Sequence, residues 1–274
     1  MNPLELHGLT KHYPGFTLDL SLTVPRGYVM GFVGANGSGK TTTIKCALGL
    51  VRPDAGTVTL APKSVIGVVL DQPSYVADWT VATTGRLLSR FYPSWDADRF
   101  AALTDGAGVP SKRRIKELSR GMGMKLQLAV ALSHGAEFLI LDEPTSGLDP
   151  FARDQLLEGL AEFMTDENHS VLFSTHITSD LDKIADYVTV IDAGRVVTSS
   201  TLDDLVESYR LASGGPDDLP LDLSGLVIGL RRHRTGWDGL VATDDAASLG
   251  RHVQLEEPTL DDIVVRIAKE RAHV

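Results

Sequence analysis

Gly34-Ala35-Asn36-Gly37-Ser38-Gly39-Lys40-Thr41 satisfies G-x-x-x-x-G-K-[ST] at every fixed position. Glycines there let the backbone curl until successive N–H groups point inward, and such a ring binds phosphate oxygens. The lysine reaches the outer phosphates of a nucleotide, and the threonine hydroxyl ligates Mg²⁺. A chance glycine turn is the competing reading. Its neighbours argue against it. Apolar residues 28–33 predict a strand entering the loop, and residues 40–50 predict a helix leaving it. The helix N-terminus then adds positive potential where the anion would sit.

A second constellation follows. Phe138-Leu139-Ile140-Leu141 runs directly into Asp142 and Glu143. Four consecutive apolar residues predict a strand buried on both faces, so both carboxylates emerge at one edge of a sheet. Asp142 is placed to hold Mg²⁺ through water, and Glu143 to orient or deprotonate an attacking water. Paired acids also occur on solvated loops; the phosphate loop is what favours chemistry here. No [NT]-K-x-D tetrad of the guanine-reading kind begins at Asn2 or Asn36. Together these motifs specify a nucleotide site without naming its class.

The elements that must position these groups alternate between strand-like and helix-like, which predicts an α/β fold with a mostly parallel sheet. Residues 16–24 alternate apolar and polar, as a half-buried antiparallel strand does. Residues 65–70, 171–175 and 187–191 predict further strands. Residues 81–106 read as helical with a break at Pro93, residues 121–133 as a second helix, and Pro150 opens a third. Breaker-rich Ser213-Gly214-Gly215-Pro216-Asp217-Asp218 reads as a linker. The expected division is a main domain over 1–212, with a helical insertion at about 81–135, and a small C-terminal α/β appendage over 213–274. In the appendage, residues 227–234 and 239–243 predict strands and 258–272 a helix.

Composition narrows the partners. The chain has 274 residues, of which 43% are hydrophobic and 23% charged, and this excludes a disordered or collagen-like chain. Its 36 acidic against 26 basic residues argue against nucleic acid held by bulk charge. The single cysteine, Cys46, forms no internal disulfide and reads as a small buried hydrophobe. No apolar run approaches the roughly 18–20 residues that span a bilayer, so the chain itself is expected neither to cross nor to anchor in a membrane.

Three further motifs stand in order around the carboxylates: Leu118-Ser119-Arg120-Gly121-Met122, then Pro144-Thr145-Ser146-Gly147-Leu148-Asp149, then Ser174-Thr175-His176. With the phosphate loop and the Asp142-Glu143 pair, this order resembles the ATP-binding subunit of an ABC transporter over about residues 2–210. Gly27-Tyr28-Val29-Met30-Gly31, Tyr92-Pro93-Ser94-Trp95-Asp96 and the tail Glu257-Pro258-Thr259-Leu260-Asp261-Asp262-Ile263 are similar to the export-type bacterial branch.

The resemblance implies a P-loop NTPase core with an antiparallel β-subdomain and a helical insertion, hydrolysing ATP with Mg²⁺. ATP would be held by Tyr13 stacking on adenine, with Phe16 as fallback, and by Gly34, Asn36, Gly37, Ser38, Gly39, Lys40, Thr41 and Thr42. Glu143 would be the general base, Asp142 the metal-side acid, and His176 the switch on the γ-phosphate. Ser119, Arg120, Gly121 and Met122 would form the signature that binds ATP held by the opposite subunit, and Asp149 would couple the two sites of the dimer. The implied partners are a separately encoded membrane permease and a second ATP-binding subunit, identical or different. No nucleic acid is expected. The implied place is cytoplasmic, peripheral on the inner face of the membrane. The alternatives are a soluble ABC-type ATPase working on nucleic acid or the ribosome, and a regulatory ATP-binder with weak hydrolysis.

Two departures stand out. Arg120 and Met122 replace a glycine and the glutamine of the usual L-S-G-G-Q; Arg120 either adds a charge near the triphosphate or points to solvent, and solvent is the favoured reading. The permease-sensing loop, usually I-G-x-x-P-Q, reads Ile66-Gly67-Val68-Val69-Leu70-Asp71-Gln72, which leaves Asp71 or Gln72 as its sensing residue and as a further Mg²⁺ ligand. The basic run at 112–116 reads as a solvated face, with contact to the permease or anionic headgroups as the alternative, and the eight histidines offer no metal-ligand spacing beyond chance.

Overall fold

The computed structural model describes residues 1–274 except 72, 217, 219–223, 251, 273 and 274, with backbone alone at 271 and 272. Gln72 and Asp217 of the expected sensing loop and linker therefore lie outside the described residues.

Strands β1 (Leu4–Tyr13), β2 (Phe16–Val24) and β4 (Ala55–Leu60) form an antiparallel sheet in the order β2-β1-β4. In β2 every second residue from Leu18 to Val24 is buried, as its alternation predicts. β1 is not evident from periodicity because Gly8 breaks its alternation: the register with both neighbours shifts across residues 6–10.

A six-stranded sheet follows the order β5-β6-β7-β3-β8-β9, built from β3 (Val29–Val33), β5 (Ile66–Val69), β6 (Phe138–Asp142), β7 (Ser170–Thr175), β8 (Tyr187–Asp192) and β9 (Arg195–Thr201). The first five are parallel and β9 is antiparallel. Every residue of β3, β6 and β7 is buried. Their side chains divide by strand parity between two cores. Met30, Phe32, Phe138, Ile140 and Leu172 meet the antiparallel sheet and helix α1 (Lys40–Ala47), which carries Ile44 and the buried Cys46. Val29, Val33, Leu139, Leu141, Val171 and Phe173 meet the opposite layer.

The helical insertion comprises α2 (Val81–Leu88), α3 (Ala97–Gly106) and α4 (Arg120–Ser133), around a separate core of Val81, Phe100, Ile115 and Leu126. Helix α5 (Pro150–Phe163) starts where its proline predicts, with Asp149 as N-cap: its side chain accepts the Ala152 N–H at 3.0 Å. The short helices α6 (Thr178–Leu181) and α7 (Leu202–Glu207) bracket β8 and β9.

Strands β10 (Tyr209–Gly214), β11 (Ile228–His233), β12 (Gly236–Ala242) and β13 (Gln254–Glu256) form the C-terminal sheet, and α8 (Leu260–Ala272) closes it. Ser213 and Gly214 belong to β10 rather than to a linker, and the sheet begins at Tyr209. Nor is this unit isolated: Leu240, Leu260 and Ile263 join the same core as Leu139 and Phe173. Among the described residues no helix is long and apolar enough to cross a membrane.

Candidate functional site

Parallel pairing sets the geometry. Asp142 at the end of β6 lies opposite Ser174 of β7, and Thr175 of β7 lies opposite Val33 of β3. The phosphate loop, the two carboxylates and His176 therefore leave the sheet side by side at its carboxyl edge, the place where open α/β sheets bind ligands.

The loop can only be built with little side chain. A Cβ at Gly34 would collide with the Ile191 carbonyl and the Ser38 hydroxyl. Gly39 sits at φ 113° as the N-cap of α1 and supplies no capping side chain, so the first N–H groups of α1 face the cleft uncapped. Lys40 is 5% exposed; its ammonium donates to the Gly34 carbonyl at 2.6 Å and the Ala35 carbonyl at 3.3 Å. The same ammonium stands 3.2 Å from Oε1 of Glu143, an oxygen without an aligned hydrogen-bond donor.

Asp142 is 2% exposed and fully engaged. Thr41 donates to its Oδ2 at 2.7 Å and Ser174 to its Oδ1 at 2.9 Å. Burial pushes its carboxyl above the usual range, and these two hydrogen bonds only partly offset that. Glu143 adopts φ 52°, a left-handed conformation that costs a non-glycine residue about 1 kcal/mol or more. The Ser174 carbonyl accepts its N–H at 2.8 Å, and its Oε2 receives Nδ1 of His176 at 2.7 Å. The strain aims the carboxylate across the loop rather than out to solvent.

Asn36, Thr41, Asp71, Arg120, Glu143 and His176 face a common cleft of about 510 Å³. A smaller adjoining pocket of about 210 Å³ is formed by Gly37, Gly39, Lys40, Thr41, Thr42 and Phe16. The fit to a triphosphate with Mg²⁺ rests on this chemistry: an uncapped helix N-terminus, a buried ammonium, a buried Ser38 hydroxyl with no partner, and the Thr41–Asp142 oxygen pair. Among the described residues no cluster of three or more His, Cys, Asp and Glu side chains is arranged for a metal. Tyr13 is 42% exposed at the tip of the β1–β2 hairpin opposite Phe16. It is no core tyrosine, and Phe16 is the aromatic beside the loop.

The signature lies at the start of α4. Ser119 is exposed and caps the helix by accepting the Met122 N–H at 3.3 Å. A Cβ at Gly121 would come 3.2 Å from Leu148, so glycine keeps this turn close to the loop that ends in Asp149. Arg120 is 43% exposed, so its side chain does reach solvent, but it is not alone there. Its guanidinium pairs with Asp71 and lies over Gly147. The two departures from the family pattern thus meet each other: the charge gained in the signature is matched by the charge gained in the sensing loop. Gln72 lies outside the described residues, so Asp71 is the one whose contacts are defined.

Two positioning residues were not singled out from sequence. Ser174 was read only as part of its motif, and its contact with Asp142 follows from strand register. Gln127 is 3% exposed in an otherwise apolar stretch of α4 and clamps the backbone of Leu70, receiving its N–H at 3.0 Å and donating to its carbonyl at 2.8 Å. A buried amide on an apolar helix face was the available signal.

Two predictions follow from this geometry. Asp71→Ala, Arg120→Ala and the double variant, compared by urea unfolding, give a coupling of about 0.5 kcal/mol that shrinks in 1 M salt, as for half-exposed ion pairs. A salt-independent coupling would assign the contact to packing instead. Asp142→Asn removes a carboxylate whose ionisation is disfavoured in the folded state, so the ligand-free variant is expected to melt higher than wild type at pH 7 by differential scanning calorimetry. A raised folded pKa contributes stability below the unfolded value and loses it as pH rises through the folded value. The advantage of the variant over wild type therefore narrows as pH falls into the acid range.

The ABC transporter family matches residues 17–146. The chain is 33% identical over 222 residues to the Nod factor export ATP-binding protein I of Cupriavidus pinatubonensis, covering 75% of this chain and 68% of that protein. It is 36% identical over 222 residues to the daunorubicin/doxorubicin resistance ATP-binding protein DrrA of Streptomyces peucetius, covering 75% and 67%. Among solved structures, an ATP-binding subunit of an ABC transporter superposes with a TM-score of 0.67 at 27% identity, covering 74% of this chain and 91% of that one. The fold, the order of the motifs and relatives matched over two thirds of their length lead to one conclusion: the chain belongs to the ATP-binding proteins of ABC transporters, ATPases coupled to transport.

Proposed function

We propose that this chain powers an export-type transporter by closing, with ATP and Mg²⁺, onto a second ATP-binding subunit, identical or different, beneath a separately encoded membrane permease. The observation that carries this reading is the division of labour in one chain. Lys40, Thr41, Asp142, Glu143 and His176 converge on one cleft, while Ser119 opens α4 at an exposed position. A signature displayed at the surface is suited to ATP held by another subunit. The names of the relatives support export: two of them are ATP-binding proteins for Nod factor export and for drug resistance. The implied place is the cytoplasmic face of the membrane, with no nucleic-acid partner.

In this reading the loop N–H groups and Lys40 bind the phosphates, and Tyr13, or failing it Phe16, stacks on adenine. Asn36, Gly37, Ser38 and Thr42 line the phosphate path. Thr41 and Asp142 would hold Mg²⁺, with Asp71 facing the same cleft. When bound, the ion neutralises charge developing on the phosphate oxygens. Glu143 takes the proton of the attacking water. His176 holds that carboxylate through Nδ1 and turns it toward the phosphate side of the cleft. Ser119, Gly121 and neighbouring Arg120 and Met122 present the α4 N-terminus to the opposite subunit's γ-phosphate, and Asp149 couples the two sites.

Glu143→Gln is expected to lose hydrolysis by roughly 10²-fold or more, as for loss of a general base. It is also expected to form a dimer only with ATP, seen by light scattering. Equal turnover in the two proteins would sink the assignment of Glu143. Tyr13→Ala is expected to weaken ATP binding by about tenfold or more, on the scale of base–aromatic stacking. Calorimetry showing that loss for Phe16→Ala and not for Tyr13→Ala would transfer the role to Phe16.

A further inference from the structure

The C-terminal unit has no role in the site as described so far, yet its helix touches the segment that carries His176. We propose that this unit braces the switch histidine, with Asp261 as a positioning residue acting through α6. The inference rests on the reading of His176 and Glu143 given above.

Helix α6 begins two residues after His176 and has only four residues, Thr178–Leu181, with no side-chain cap at its N-terminus. So short a helix does not hold itself; its neighbours must fix it. Leu181 is fully buried and fills the space that Gly31 leaves beside β3. Asp180 is 2% exposed and faces Arg153 of α5 at 3.6 Å. The remaining anchors come from the tail. The Thr178 hydroxyl, 4% exposed, donates to Oδ1 of Asp261 at 2.8 Å. Asp182, just past the end of α6, lines one small pocket together with Leu260 at the start of α8. The first turn of α8 and the whole of α6 thus clasp each other, over Leu260 and Ile263, both fully buried in the main core.

The rest of the unit keeps α8 in place. Arg266, 4% exposed, pairs with Asp238 of β12 and donates to the Gly229 carbonyl at 3.3 Å, while Glu270 accepts the Gly229 N–H at 2.8 Å. A mechanical chain results: the C-terminal sheet holds α8, α8 holds α6, and α6 sets where His176 meets Glu143. The phosphate loop is built on β3 and α1 and is held in shape by its own glycines and by the Lys40 bonds to the Gly34 and Ala35 carbonyls; it meets this chain of links at the Leu181–Gly31 packing and the Glu143–Lys40 contact. Loosening the brace therefore acts on the hydrolytic step and leaves ATP binding nearly untouched. It gives the tail motif Glu257–Ile263 a task within the ATPase itself.

The test uses the full chain, by steady-state ATPase kinetics and by NMR of ring-labelled histidine, with the His176 signal identified by its loss in His176→Ala. Asp261→Ala and Thr178→Val are each expected to lower kcat about five- to tenfold with KM for ATP within about twofold, the double variant being no slower than either single. In Asp261→Ala the His176 ring signal shifts. Asp261→Asn, whose side-chain oxygen still accepts the Thr178 hydroxyl, restores both kcat and the signal. Wild-type kcat in Asp261→Ala, an unmoved His176 signal, or failure of Asp261→Asn to rescue would overturn the proposal. Should Asp261→Ala fold poorly, Thr178→Val, which changes one buried hydroxyl, decides by the same readouts. Wild-type turnover in His176→Ala would instead remove the switch reading, while the ring signal still decides whether Asp261 positions that histidine.

Discussion

The site depends on charges held out of water at one sheet edge. Lys40, Asp142 and Glu143 have side chains 5%, 2% and 14% exposed, and each owes its place to the others or to a neighbouring hydroxyl. Desolvating such groups is costly, and the cost is tolerable only with good partners. Thr41 and Ser174 serve Asp142, His176 serves Glu143, and the loop carbonyls serve Lys40. These partners come from β3, α1, β7 and the turn beyond it. The parallel order β6-β7-β3 is what brings Ser174 and His176 beside Asp142 and Glu143 at that edge. The raised carboxyl of Asp142 and the left-handed backbone of Glu143 are the residual strain.

Two routes of contact join the site to its surroundings. One runs through the helical insertion. Gln127 grips Leu70 and Arg120 pairs with Asp71, so α4 and the sensing loop are joined twice. The first link is buried and neutral; the second is charged and half exposed. The other route runs through α6 to the C-terminal unit, whose first helical turn is part of the main core.

Much of this was legible in the chain. The phosphate loop, the apolar run into Asp142 and Glu143, and the alternation in β2 are local patterns, because a glycine-rich curl or a strand buried on both faces needs its own residues and little else. Elements that depend on partners were less visible. β1 loses its alternation at Gly8, and β10 absorbs glycine and serine that read as a linker. α6 is too short for any periodicity to reveal.

The sequence by itself determined which groups are of a kind to meet phosphate, and in what order they stand along the chain, since that follows from residue type and short spacing. Only the tertiary structure decided which of them touch. That Arg120 answers Asp71, that Ser174 supports Asp142, and that Asp261 reaches Thr178 are contacts between residues 49, 32 and 83 positions apart. Such contacts are set by strand register and helix packing, to which local spacing is blind. The two departures that looked like separate defects in the motifs are, in space, one charge pair.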